Sequence, residues 1–374
     1  MIEKVKFENF KSLRALELQH LERLNVFVGA NASGKTSILQ GIYCLAESAR
    51  LGPASIFRRE FAPEILVNRN AKPGSLFLGC YTDIGFATLH LAQDSEAPSA
   101  TQLRATNWGF NWTVEAASQG DSGTTPTQIE EVKQSIGRGS LVAFRATALS
   151  SPSYMENPSP ILNASGSNLA SVLEVLSQED EHCFERIAEY MQRMVPHFIK
   201  VRFRKTPVLK NETELVRFGD DGVRRTSRRK YTGTRFLIDF THAKGVEASA
   251  CSEGTLLALA YLTLALGPAS PELLLIDDLE HGFHPTAQQG LVAIFREILE
   301  IHPELQIFAT CHSPYLLDSL NVNEVRLVAL GNDGATECAM LSENKKFEKW
   351  KEEMAPGEMW SLFGENWITE RNGR

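Results

Sequence analysis

The stretch "LNVFVGANASGKTSIL", Leu24 to Leu39, decides the fold. It runs from an apolar segment ending at Gly29, through a glycine turn, into a helix expected from Thr36 to about Ser48. Within it "GANASGKT", Gly29 to Thr36, satisfies Gly-x-x-x-x-Gly-Lys-Ser/Thr in the setting that pattern needs, after a buried strand and before a helix. The backbone N–H groups of Asn31, Ala32, Ser33 and Gly34, together with the helix start at Lys35, Thr36 and Ser37, form a cradle for phosphate. Lys35 is placed to reach the β- and γ-phosphates, and the Thr36 hydroxyl to ligate Mg²⁺. ATP and Mg²⁺ are the expected ligands.

Working outward, "LLLIDDLE", Leu273 to Glu280, is an apolar strand ending in acids. Asp277 falls at its carboxyl edge, where α/β sheets bind ligands, and is the expected metal-side carboxylate beside Thr36. "FATCHSPYLLD" places His312 just beyond another apolar strand, in position to hydrogen-bond a γ-phosphate or its attacking water. "SEGT", Ser252 to Thr255, is a second glycine turn in front of the apolar helix that reaches Leu266. One ATP needs one phosphate loop, so a second anion-binding helix start makes sense across a symmetric dimer: the Ser252 hydroxyl and Gly254 N–H of one copy would close on the γ-phosphate held by the other. The plainer alternative is helix N-capping by Ser252.

The 374 residues carry 43% hydrophobic and 22% charged side chains, an ordinary globular composition. The start, "MIEKVKFENF", has charges where a signal peptide needs an apolar run, and the apolar stretch Leu256 to Leu266 is too short to cross a bilayer, so a cytoplasmic protein with no membrane contact is expected. Six cysteines without a C-x-x-C pair fit a reducing compartment. The formal net charge is -8, yet residues 200–235 hold twelve Lys or Arg against four acids. Lys200, Arg202 and Arg204 share one strand face, and "GDDG", Gly219 to Gly222, is a hairpin signal leading to Arg224, Arg225, Arg228 and Arg229. This is a solvated hairpin face or a surface for nucleic acid or an acidic partner.

The remainder reads coarsely. Strands are expected at the N-terminus and over 76–91 and 107–117, loops over 93–106 and 118–128, a longer loop around Pro152, Pro158 and Pro160, and two amphipathic helices between Ser167 and Pro196. After "NEVRLVAL" the tail gathers Trp350, Trp360, Phe363 and Trp367, read as core packing or a docking surface.

By "ENFKSL", the phosphate loop, "SEGT", "LLIDDLEHGFHP" and "ATCHSPYLL", the chain resembles the ABC-type ATPase heads of the RecF, SMC and OLD families, and especially compact bacterial defence ATPases of that clade. The resemblance covers about residues 1–50 and 235–320. It implies an α/β ABC-ATPase head with a mixed β-sheet, an antiparallel β subdomain and a helical insertion. The expected organisation is one head from both chain ends: an N-terminal lobe over 1–150, a helical and basic hairpin insertion over 151–234, a lobe over 235–320 with signature, acidic strand and switch histidine, and a tail over 321–374. It further implies an ATP-driven homodimer, Lys11 and Ser12 near the phosphates, and catalysis by the acids and His312.

Asp278 stands where the family carries a catalytic Glu, one methylene longer, and Glu280 matches a further family acid. Gln128 and Gln134 are positional candidates for the family's Q-loop glutamine. The 62 residues after His312 are fewer than the nuclease domain of OLD-type proteins needs, so the expected effector is a separate nuclease or toxin. The expected function is thus a slow ATPase switch in anti-phage defence. The alternatives are a RecF-like DNA repair ATPase and a nucleotide-bound scaffold that does not hydrolyse.

Overall fold

The strand that feeds the phosphate loop lies inside a six-stranded mixed sheet. In the computed structural model, which describes residues 1–58, 62–69, 74–93, 101–102, 108–117, 125–218 and 221–363, that sheet runs Thr336–Met340, Val325–Leu330, Leu24–Gly29, Gln306–Cys311, Leu273–Ile276, Gly139–Val142. The last five are parallel to one another, and Thr336–Met340 is an antiparallel edge. Leu24–Gly29, Leu273–Ile276 and Gln306–Cys311 are buried along their whole length, as unbroken apolar runs require when both faces of a parallel sheet are covered. Their carboxyl ends deliver Gly29, Asp277 and His312 to one edge.

An antiparallel sheet carries the alternating N-terminal segments, in the order Leu13–Leu18, Ile2–Phe10, Ser75–Thr82, Gly85–Gln93, Trp108–Ala116, Thr101–Gln102. Between the two sheets runs the helix Lys35–Leu51. Its Ile38, Leu39, Ile42 and Leu45 share one core with Val5, Phe7, Leu78 and Leu89 on one side and Phe27, Leu275 and Phe308 on the other. Truncating one such fully buried leucine to alanine costs about 2–5 kcal/mol, so the phosphate loop rests on a stiff base.

The chain divides into two compact units: Met1–Val142 with Pro271–His281 and Phe295–Arg374, and Ala143–Ser270 with Gly282–Ile294. The second unit holds the helices Leu169–Glu179 and Glu181–Met194, the latter capped by Asp180 on the Cys183 N–H at 3.0 Å. It also holds Glu253–Leu266, buried at every position from Thr255 on, which is why its sequence is apolar all round. Its sheet is a long hairpin, Phe198–Phe218 with Asp221–Phe240, extended by Ala243–Glu247. Among the described side chains of the hairpin, the buried ones, including Val201, Phe236 and Ile238, lie toward its base.

Some local expectations change. The loop read over 118–128 gives way to a helix at Pro126, because Thr125 and Gln128 form a reciprocal capping box and Pro126 takes the first helical position. That box occupies the Gln128 side chain, and Gln134 is exposed on the same helix. Around the tail's aromatic cluster, Phe347 and Met359 are buried. Trp350, Trp360 and Phe363 are half-buried, with Lys349 over the Trp350 ring at 5.1 Å and Lys346 over the Phe363 ring at 4.4 Å. Trp367, the turn residues Gly219 and Asp220, and most of 93–106 and 118–124 lie outside the described residues. No described helix is long and apolar enough to cross a membrane.

Candidate nucleotide site

The phosphate loop turns through two left-handed residues, Ala32 at φ 61° and Gly34 at φ 104°. Gly34 is glycine for two reasons. Its φ disfavours a side chain, and a Cβ there would sit 2.1 Å from the Thr336 hydroxyl oxygen. The helix that follows has no side-chain cap, which leaves its first-turn N–H groups available to an anion. Lys35, buried, curls back to donate to the Gly29 carbonyl at 2.9 Å and the Ala30 carbonyl at 2.6 Å. Ser33 is also buried, and its hydroxyl has no hydrogen-bond partner among the described residues. Asn31 and Ala32 form the exposed rim.

The carboxylates stand beside this loop. The Thr36 hydroxyl lies 3.1 and 3.0 Å from the two oxygens of Asp277. Thr310 donates to Asp277 Oδ1 at 2.6 Å and accepts from the Asp278 N–H at 2.7 Å. Asp278 adopts φ 53°, a left-handed conformation that Asp tolerates better than most residues. Its exposed carboxylate lies 3.6 Å from His312 Nε2. Glu280 Oε1 accepts from the His312 N–H at 2.7 Å. Burial, reinforced by Glu280, holds the Cys311 thiol well above its ordinary range, so it stays protonated.

These contacts bring Thr36, Asp277, Asp278, Glu280 and His312 together with the loop Ser33–Lys35. Thr310 was not legible from spacing; its signal is a polar residue inside the buried run "FATC". Ser12 lies 2.8 Å from the Thr336 hydroxyl. Lys11, left-handed at φ 52°, donates to Gln40 on the phosphate-loop helix, and burial lowers its pKa. The Thr36 hydroxyl and Asp277 carboxylate are hard oxygen donors, the set Mg²⁺ takes with one or two protein ligands and substrate phosphates.

In the second unit Ser252 is exposed, and its hydroxyl accepts from the Thr255 N–H at 3.3 Å and lies 2.8 Å from Thr255 Oγ1. A Cβ on Gly254 would come 2.6 Å from the Gly282 carbonyl oxygen, so glycine there permits close backbone packing. The basic hairpin is partly neutralised: Arg202 pairs with Asp239 at 2.6 Å, Lys205 with Glu174 at 2.8 Å, Arg229 with Glu212 at 3.1 Å and Arg235 with Glu247 at 3.1 Å. Lys200, Arg204, Arg228 and Lys230 are exposed.

The family described as "AAA domain, putative AbiEii toxin, Type IV TA system" matches residues 121–318, more than half of the chain, and the chain belongs to it. An "AAA ATPase domain" matches residues 1–75. The SMC head bound to the C-winged helix domain of ScpA superposes with a TM-score of 0.54 at 13% identity, over 93% of this chain and 99% of that one. An SMC head with extended coiled coil, bound to a ScpA C-terminal domain and derived from Pyrococcus furiosus, gives 0.50 at 13% identity over 94% and 99%. The fold is an ABC-ATPase head.

Relatives match over short stretches. RecF of Lysinibacillus sphaericus is 44% identical over 45 residues, 12% of each chain. RecF of Acinetobacter baylyi is 33% identical over 76 residues, 20% of this chain and 19% of that one. The Septu protein PtuA of Bacillus thuringiensis is 41% identical over 61 residues, 16% of this chain and 14% of that one. The chain thus spans less than a fifth of the length of these relatives.

Proposed function

We propose that this chain is a cytoplasmic ATP switch: two copies close on ATP, hydrolyse it slowly, and so control a separate effector, a nuclease or toxin, in defence against phage. The observation that carries the reading is the connected set Thr36, Asp277, Thr310, Asp278 and His312 at one edge of the phosphate-loop sheet. Similarity to the Septu protein PtuA supports the defence role.

On binding ATP, Lys35 exchanges the Gly29 and Ala30 carbonyls for the β- and γ-phosphates, a charge-assisted contact stronger than the one it leaves. Thr36 and Asp277 would hold Mg²⁺, which supplies neutralisation of phosphate charge. Thr310 fixes Asp277 through its side chain and Asp278 through its backbone, so the two acids face different tasks. Asp278 accepts the proton of the attacking water as its oxygen bonds to the γ-phosphorus and the bond to ADP breaks; His312 orients that water. Turnover is slow because Asp reaches one methylene less far than Glu. The Ser252 and Gly254 turn of one copy completes the site of the other.

Asp278→Asn keeps the phosphate contacts and removes the base. Phosphate release should fall by roughly 10²-fold or more, while light scattering should show a doubled mass with ATP and Mg²⁺. An unchanged mass in that variant would sink the closing-dimer reading. A second reading, a RecF-like DNA ATPase, draws on the RecF matches and on exposed Lys200, Arg204, Arg228 and Lys230. Duplex binding that falls steeply with salt supports it, and no binding at low salt removes it.

A further inference from the structure

We infer that Thr336 is a positioning residue of the nucleotide site, holding the phosphate loop in its anion-binding conformation from the C-terminal hairpin; this rests on the ATP-switch reading above. Thr336 opens the edge strand Thr336–Met340 and is buried, far from the loop in sequence. Its hydroxyl lies 2.9 Å from the Ser33 carbonyl and 2.8 Å from the Ser12 hydroxyl, and its N–H donates to the Ser12 carbonyl at 2.9 Å. A threonine has one hydroxyl proton, and a carbonyl can only accept. The Thr336 hydroxyl therefore shares its one proton between two acceptors, the Ser33 carbonyl and the Ser12 hydroxyl.

The peptide unit is planar and trans, so the Ser33 carbonyl and the Gly34 N–H belong to one rigid plate and point in opposite directions. Anchoring the carbonyl on Thr336 aims the Gly34 N–H away from it. The plate sits between two left-handed residues, Ala32 and Gly34, where the chain has few neighbouring conformations to choose from but needs an outside contact to select one. Thr336 also explains the absence of a side chain at Gly34, whose Cβ would strike its hydroxyl. A second clamp keeps the hairpin in register with the Ser12 segment: Arg14 pairs with the Asp333 carboxylate at 3.1 Å and donates to the Asp333 carbonyl at 2.6 Å.

The role is in binding, because the hydroxyl touches the loop that cradles phosphate and none of Thr36, Asp277 or Asp278. Calorimetric titration of ATP and ADP should show Thr336→Val raising both Kd values about tenfold, ~1.4 kcal/mol, with Thr336→Ser within about threefold of wild type. At saturating ATP the variant should keep its kcat within about twofold while KM rises. Should the valine fail to fold, Thr336→Ala removes the same hydroxyl without a new methyl contact and carries the same expectation. Wild-type affinity in the valine or alanine variant overturns the proposal, as does an equal loss in the serine variant. Lys35→Ala measured alongside separates the two levels: wild-type affinity there overturns the nucleotide site itself, whereas lost affinity there with wild-type affinity in Thr336→Val overturns only the role of Thr336.

Discussion

Two helices in this chain begin at glycine turns, one at Lys35 and one at Glu253, and their first turns are finished in opposite ways. At Lys35 there is no side-chain cap, no acid in the first turn, and a buried lysine folded over the preceding carbonyls. At Glu253 the Ser252 hydroxyl accepts from the Thr255 N–H, and Glu253 itself adds negative charge to the positive end of the helix. The first helix start is held open by the loop before it, whereas the second is satisfied by its own residues. An anion reaching the second start must displace a cap and tolerate an acid, so it binds weakly on its own and needs an ATP already held elsewhere. This asymmetry suits the switch proposed above, in which tight capture and conditional closure would belong to different turns.

The largest effect should come from the open turn. Lys35→Ala removes the main side-chain charge on the phosphates and should weaken ATP binding by roughly 100-fold or more, about 2.7 kcal/mol, read by calorimetry. Near-normal affinity would erase the difference between the two turns.

Next in size is the conditional turn. Ser252→Arg should leave ATP binding to the monomer within about twofold and abolish turnover, because bulk and charge fall on the face that closes. Mixed with Lys35→Ala in a symmetric dimer, it yields one composite site with both defects and one with neither. Phosphate release should therefore return in the mixture although neither variant works alone; its failure to return would leave Ser252 as an ordinary helix cap.

Smaller still, Glu253→Gln removes the acid from that first turn. The gain expected at an exposed helix end is about 0.3–1 kcal/mol, so the ATP concentration for half-maximal dimerisation should drop by roughly two- to fivefold. A rise instead would mean that Glu253 contributes to closure directly. The least change should follow Arg228→Glu with Arg229→Glu on the hairpin. ATP affinity should stay within experimental scatter, and only association with nucleic acid or a co-purifying partner should fall. A loss of ATP binding there would tie the hairpin to the site.

The sequence by itself determined the buried strands Leu24–Gly29, Leu273–Ile276 and Gln306–Cys311, the phosphate loop and the acids that follow Ile276. Each is a local signal: an unbroken apolar run means a strand covered on both faces, and Gly34, Lys35 and Thr36 occur at the spacing that phosphate binding imposes within one turn. The helix at Pro126 was hidden because its capping box sits in a Ser/Thr/Gly/Gln-rich stretch that composition alone assigns to a loop. The strand edge already assigned Asp277 to the side of Thr36, but only the tertiary structure gave the contacts that separate it from Asp278: the left-handed backbone at Asp278 and Thr310 from a neighbouring strand. It alone paired Arg202, Lys205, Arg229 and Arg235 of the hairpin with Asp239, Glu174, Glu212 and Glu247. It alone brought Thr336 against Ser33, a contact between residues 303 apart in the chain. The physical reason is the same in each case: hydrogen bonds and ion pairs are fixed by distance in space, and chain folding sets that distance with no trace in local spacing.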